Sequence, residues 1–272
     1  MPSHENKKST IIYVMKSQLH KSTIWFEIML VLLACVAGSV DVMSYYRLGH
    51  VFTANMTGNT ILLGLAIGQG KMASSLHSLA ALAGFFTGTL IGASIIENTK
   101  KAWSHYVTLC MTIETIIIAI LVLIWFEESV ITNNYVLYIS IILSAIAMGI
   151  QSATIWHLKI PGVVTTFLTG TITTIGMSTV NGIKKSFGKK LKENEFPGLP
   201  IPKTLERRIE LQVIIFISYG CTAVLTGWLE YHGSHLLPLL PLTLIIIVLL
   251  IVINRPEHPH ILRNLRHSNA EE

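Results

Sequence analysis

The stretch Val51-Phe52-Thr53-Ala54-Asn55-Met56-Thr57-Gly58-Asn59-Thr60, running on into Ile61-Leu62-Leu63-Gly64, places hydroxyl and amide side chains inside an otherwise apolar chain. A relative of it returns 112 residues later as Val163-Val164-Thr165-Thr166-Phe167-Leu168-Thr169-Gly170-Thr171-Ile172, ending at Gly176. Val51/Val163, Thr53/Thr165, Thr57/Thr169, Gly58/Gly170 and Gly64/Gly176 are identical at the same offset. With a one-residue slip the match extends upstream, pairing Gly38 with Gly149, Asp41 with Ser152 and Tyr45 with Trp156. A duplicated polar segment in an apolar chain points to a site built where two repeats meet.

Working outward, the 272 residues are 51% hydrophobic and only 13% charged, with a mean hydropathy of +0.58. Soluble domains carry roughly 25% charge. Eight apolar runs cover 24–46, 52–68, 76–96, 106–126, 135–156, 163–180, 211–229 and 236–253. Each is 17 to 23 residues long, the length a spanning helix requires. The expected fold is all-α: a polytopic integral membrane protein of two tandem repeats of four apolar helical segments, with segments two and six either crossing or re-entrant and broken. The domain map is a basic N-terminal tail (1–23), a first membrane repeat (24–126), a second (135–253) and a C-terminal tail (254–272). The second repeat contains a long basic loop, 181–210, whose Pro197-Gly198-Leu199-Pro200-Ile201-Pro202 run cannot continue a helix.

The net charge of +5 sits in connections and tails, most densely at Lys184, Lys185, Lys189, Lys190 and Lys192. Such clusters set topology or touch anionic lipid, and no recognition module accompanies them, so no nucleic-acid partner is expected. The positive-inside rule places both termini and the long loop in the cytoplasm. If eight segments cross, 16 of the 20 Lys and Arg lie inside; if segments two and six are re-entrant, 18 do. The counts leave both arrangements standing. Leu32-Leu33-Ala34-Cys35 resembles a lipoprotein cleavage box, but the apolar run continues through it, so the segment reads as a retained helix. Cys35, Cys110 and Cys221 all lie in apolar runs and suggest neither a disulfide framework nor a metal site.

Gly84, Gly88 and Gly92 recur every four residues, as do Ala145, Gly149 and Ala153. Without a hydrophobic drive between helices in lipid, small-residue stripes of this kind mark helix contacts.

Candidate site residues are Asp41, Asn55, Thr57, Gly58 and Asn59 in the first unit and Thr165, Thr169 and Gly170 in the second. Thr53, Thr57 and Thr60 fall at helical spacing, as do Asn55 and Asn59, so a helix over this stretch would have two polar faces. A helix broken at the glycines would aim amide N–H groups and a positive dipole end at a bound anion or polar solute. The bland alternative is that these groups join helices. Asp41 and Glu114 are intramembrane acids and candidate coupling groups; Asp41 is otherwise a structural acid bonded to backbone amides near Thr57-Gly58. His232 and His235, with His258, His260 and His267 in the tail, lack the partners of a metal shell. No nucleophile, paired acid and base or cofactor motif is present, so an enzyme is not expected.

Ala37-Gly38-Ser39-Val40-Asp41, Leu48-Gly49 and the 52–60 stretch, with Gly149-Ile150-Gln151 and the 162–171 stretch, resemble the signature of the YoaK-like bacterial membrane proteins, grouped as domain of unknown function 1275. The resemblance covers about residues 26–252. The chain departs from the family pattern at Ser152 and His157. The resemblance implies a bacterial inner-membrane location and carries no established activity. The expected function is transport of a small polar or anionic solute at the repeat interface, by a monomer or homo-oligomer in the lipid bilayer. The alternative is a non-transporting membrane scaffold, assembly or lipid-binding protein.

Overall fold

In a computed structural model the chain is described for residues 4–97, 104–126, 133–158, 172–173, 176–177, 179–180 and 203–254. The longer elements among them are helices: α1 (His4–Arg47), α2 (Met56–Gly68), α3 (Met72–Ile96), α4 (His105–Phe126), α5 (Asn134–His157), α6 (Lys203–Tyr231) and α7 (Leu239–Ile253). Within them, Ile24–Arg47, Met72–Ile96, His105–Phe126, Asn134–His157 and Glu210–Tyr231 are long and apolar enough to cross a membrane. α2 and α7 are shorter apolar helices. At 1.5 Å per residue α2 spans roughly 20 Å, short of a hydrocarbon core of about 30 Å.

Three boundaries differ from the sequence reading. The helix of α1 runs back through the expected tail to His4. α6 starts at Lys203, immediately after the last proline of the expected loop, where strong helix formers such as Leu205, Glu206, Arg207 and Arg208 follow. Segment two starts as a helix only at Met56, so Thr53 and Asn55 precede it and the two polar helix faces do not form. Segment six lies largely outside the described residues.

Side-chain contacts fix the helix directions. Along α1 and α6, Cys35 Sγ reaches Ser218 O at 3.8 Å and Arg47 meets Glu230 at 2.9 Å, so the two run parallel. α3 and α5 are also parallel, because Gly84 abuts Ile142 and Gly92 abuts Ile150 and Ala153. α5 opposes α1: Gln151 Nε2 donates to Leu33 O at 3.1 Å, while Ser144 is linked through Thr53 to Ser44. The His77 ring lies against Gly49, just past α1, and stacks edge-on with Tyr138 at 5.0 Å. The C-terminus of α1 and the N-termini of α3 and α5 therefore share one end of the bundle. At the other end Ile96, Cys110 and Ile150 form a small buried cluster.

It follows that α2 leaves and rejoins the same end. From Arg47 the chain turns through Gly49 (φ 73°) and His50 (φ 61°), descends to the level of Asp41, and returns as α2. Asp41 lies six residues before Arg47, roughly 9 Å along the helix axis. A turn at Gly70 (φ 69°) leads into α3, against which α2 packs.

The core lies around the first span, where Met29, Leu30, Leu33, Val36, Ala37 and Val40 are all buried. α3 and α5 meet across the glycine stripe. A Cβ on Gly88 would collide with the Ile146 carbonyl and one on Gly149 with the Phe85 carbonyl, both backbone atoms that cannot yield. The stripe brings two backbones together, as small residues do between helices in lipid.

Candidate functional site

Asp41 anchors the descending chain. Its Oδ1 accepts the backbone N–H groups of Thr53 (2.8 Å), Ala54 (2.7 Å) and Asn55 (3.3 Å). Its Oδ2 accepts the Tyr219 hydroxyl of α6 at 2.7 Å. The residue is 2% exposed, so this desolvated carboxylate depends on those four donors. These three amides precede the first turn of α2, where no intrahelical acceptor exists for them, and the carboxylate satisfies them there. The amides belong to residues 53–55, one turn before the Thr57-Gly58 pair to which the structural alternative assigned them.

Thr53 completes the anchor. Its hydroxyl lies 3.1 Å from Ser44 Oγ of α1 and 3.0 Å from Ser144 Oγ of α5. All three side chains are fully buried.

Asn59 is equally enclosed. Its Oδ1 accepts the Phe52 N–H at 2.9 Å and its Nδ2 donates to the Phe52 carbonyl at 2.5 Å. The side-chain amide thus copies a backbone pairing and closes the loop onto the first turn of α2. Asn55 is the N-cap, its Oδ1 accepting Gly58 N–H at 3.2 Å. Gly58 is needed because a Cβ there would reach the Phe52 ring at 2.8 Å, whereas Gly64 has no such neighbour among the described residues. Thr57 and Thr60 are exposed, with the Thr60 hydroxyl bonded back to Met56 O.

The first-unit candidates thus gather on one hairpin: Asp41, Asn55, Gly58 and Asn59 bond its backbone or fit against it, and Thr57 stands outside. Thr165, Thr169 and Gly170 lie outside the described residues. Tyr219, Ser44, Ser144 and Phe52 take part although the sequence reading did not single them out. Tyr219 lies 178 residues from Asp41, and no local pattern signals their meeting.

Glu114 stands apart, nine residues along α4 from His105. It is fully buried, and among the described residues neither carboxylate oxygen has a hydrogen-bond partner, so the Thr neighbours that might have satisfied it do not: Thr112 and Thr115 hydroxyls bond their own helix at Thr108 O and Met111 O. An acid at membrane depth costs about 2.5–3.5 kcal/mol on insertion scales. Gln151 Oε1 on α5 is likewise buried without a partner among the described residues.

Among the described residues no three His, Cys, Asp or Glu side chains are placed to hold a metal ion. The rim of the hairpin is aromatic: Tyr45 stacks on Phe52 at 5.3 Å and meets the His50 ring at 5.0 Å. Tyr46, Trp228 and Tyr231 are exposed at the same end, as amphipathic rings are at a membrane interface.

A family model described as a protein of unknown function, DUF1275, matches residues 29–252. The chain is similar to the UPF0700 transmembrane protein YoaK of Bacillus subtilis (strain 168), 35% identical over 218 residues that cover 80% of this chain and 89% of that protein. No solved structure matches. With its apolar helices, the similarity to a transmembrane protein makes this a multi-pass membrane protein. The chain belongs to the DUF1275 family of proteins of unknown function.

Proposed function

We propose that the protein carries a small polar or anionic solute across the bacterial inner membrane, without converting it chemically, through two inverted repeats that meet at the bilayer midplane. One observation carries this reading. Exchanging the units 24–126 and 135–253 maps α1 onto α5, α3 onto α6 and α4 onto α7, and the main helix pairs map onto one another, the lighter α3–α4 contact having no α6–α7 counterpart among the described residues. The α3–α5 pair becomes α6–α1, the α4–α5 pair becomes α7–α1, and the α1–α5 and α4–α7 pairs return to themselves. The correspondence reaches single residues: Gly149 presses on the Phe85 carbonyl of α3 and Gly38 on the Tyr219 carbonyl of α6. Because α1 and α5 point in opposite directions, the repeats are inverted, as in many secondary transporters, whose sites lie at the repeat interface.

On this reading the chain crosses six times, at the five long spans and at α7 with the apolar residues 236–238 that precede it, and α2 is re-entrant from the outside; segment six lies largely outside the described residues. That arrangement leaves only Arg47 and Lys71 outside among 20 Lys and Arg, and puts both termini inside. Asp41 and Asn59 then position the hairpin. Thr57, beside the positive end of α2, is the first-unit solute contact, and Thr169 and Gly170 are its counterparts in the second unit.

The alternative, a non-transporting scaffold, is favoured by the dry packing of Asp41 and Asn59 against backbone rather than a cavity. A thermal-shift screen of small anions and polar metabolites on the full-length protein separates the two. Transport predicts a stabilising solute whose effect is lost in Thr57→Val with basal melting unchanged. Stabilisation by phospholipid, unaffected by Thr57→Val and without any responding solute, would establish the scaffold instead.

A further inference from the structure

We propose that Glu114 is a proton-exchange site at the interface between the two units. Its carboxyl is fully buried, and among the described residues neither oxygen has a donor. At 1.5 Å per residue it lies roughly 14 Å into α4, close to half of a hydrocarbon core of about 30 Å. α4 packs there against α5 and α7, both from the other unit.

The neighbourhood is rich in acceptors and poor in donors. Cys110, one turn before Glu114, faces Thr154 of α5. α4 and α5 run antiparallel, since the Ile96–Cys110–Ile150 cluster joins the start of α4 to the later part of α5. One turn on, Glu114 is level with Ile150 and Gln151. Gln151 spends its Nε2 on Leu33 O and leaves Oε1 buried without a partner. The Thr154 hydroxyl donates to Ile150 O.

Among the described residues no cation answers the carboxylate. α7 carries no titratable side chain, α5 carries Tyr135, Tyr138 and His157 only near its ends, and α3 carries His77 near its opposite end. On α4 itself the titratable neighbours are His105, Tyr106 and Cys110. A calcium-like ion takes six to eight oxygens, and no cluster of three acidic, His or Cys ligands exists among the described residues. A proton meets the need directly: it removes the charge and turns one acceptor oxygen into a donor. Rearrangement of α4 against α5 would expose the group and release the proton. Asp41, whose four donors leave neither oxygen free, is not the exchanging acid. As a coupling group Glu114 rests on the transport reading; as a proton site it does not.

The test is infrared difference spectroscopy of the full-length protein in phosphatidylcholine liposomes, stepped between pH 9 and pH 5 in light and heavy water. The expected result is a protonated-carboxyl stretching band, shifted by deuterium, that is lost in Glu114→Gln and retained at a displaced frequency in Glu114→Asp. The Asp41→Asn spectrum should keep the band. Identical wild-type and Glu114→Gln difference spectra would overturn the proposal, as would a band abolished by sodium at constant pH. Circular dichroism of each variant in the same liposomes confirms that a lost band is not a lost fold. The readout needs no solute, so it can fail while the transport reading stands and succeed while that reading falls.

Discussion

The Tyr219 hydroxyl donates to Asp41 Oδ2 at 2.7 Å, while the other oxygen of the same carboxylate receives three loop amides. One side chain therefore ties α6 and the loop before α2 to α1. A hydrogen bond to a charged group contributes about 1.5–3 kcal/mol net, and stranding a buried donor costs a similar amount again. Tyr219→Phe removes one donor and should destabilise by about 1.5–3 kcal/mol. Asp41→Ala strands three amides and should cost more. Thermal unfolding in detergent gives the order, and a Tyr219→Phe effect equal to that of Asp41→Ala would contradict the anchor.

The Arg47–Glu230 ion pair joins the same two helices near the bundle end, at 2.9 Å and with side chains 22% and 16% exposed. Pairs that reach solvent are screened and typically contribute about 0–1 kcal/mol. Glu230→Gln should therefore lower stability far less than Tyr219→Phe, with an effect that shrinks as salt rises. A loss above about 2 kcal/mol, insensitive to salt, would mean the pair is shut away from water.

Gly88 and Gly64 make a matched contrast. A methyl at Gly88 would strike the Ile146 carbonyl, and overpacking of this kind costs about 1–3 kcal/mol. Gly88→Ala should reduce abundance and melting temperature, with Gly88→Leu worse. At Gly64 a Cβ finds no neighbour within 4 Å among the described residues. Gly64→Ala should be neutral, or stabilising by about 0.5–1 kcal/mol through helix propensity. Equal responses at the two sites would show that the α3–α5 contact is looser than described.

The proposed re-entrant course of α2 predicts the side on which Lys71 lies. With Cys35, Cys110 and Cys221 replaced, a cysteine at position 71 should react with an impermeant thiol reagent from outside intact cells. A cysteine at position 190 should react only after permeabilisation. Protection at 71 from outside would restore eight crossings and remove the inverted symmetry.

Asn59→Leu separates positioning from recognition. The substitution leaves the Phe52 N–H and C=O without their side-chain partners, a cost of about 1–3 kcal/mol for each buried group. Lowered stability is expected even without solute, in contrast to Thr57→Val, whose exposed hydroxyl should leave basal melting unchanged. If Asn59→Leu melts like the wild type, the Asn59–Phe52 pairing does not hold the loop, and Asp41 with the Thr53 hydroxyl contacts suffices.

Much of this molecule is written locally in its sequence. Apolar runs of spanning length declare a polytopic helical protein because lipid offers no water to backbone groups, leaving the helix as the cheapest solution for an apolar segment. The stripe Gly84, Gly88, Gly92 and its partner Ala145, Gly149, Ala153 were legible for the same reason: spacing alone puts them on one helix face. The duplication of Thr57-Gly58 as Thr169-Gly170 could be read by eye, but not its sense. Whether segment two crosses or turns back depends on Asp41 capturing amides twelve to fourteen residues ahead, and on Tyr219 arriving from 178 residues away. The same applies to the two acids. In sequence Asp41 and Glu114 are both carboxylates well inside apolar helices; only the packed bundle surrounds one with four donors and, among the described residues, leaves the other with none. Hydrophobic pattern is a property of neighbours along the chain, whereas the satisfaction of a buried polar group is settled by whichever distant segments pack beside it.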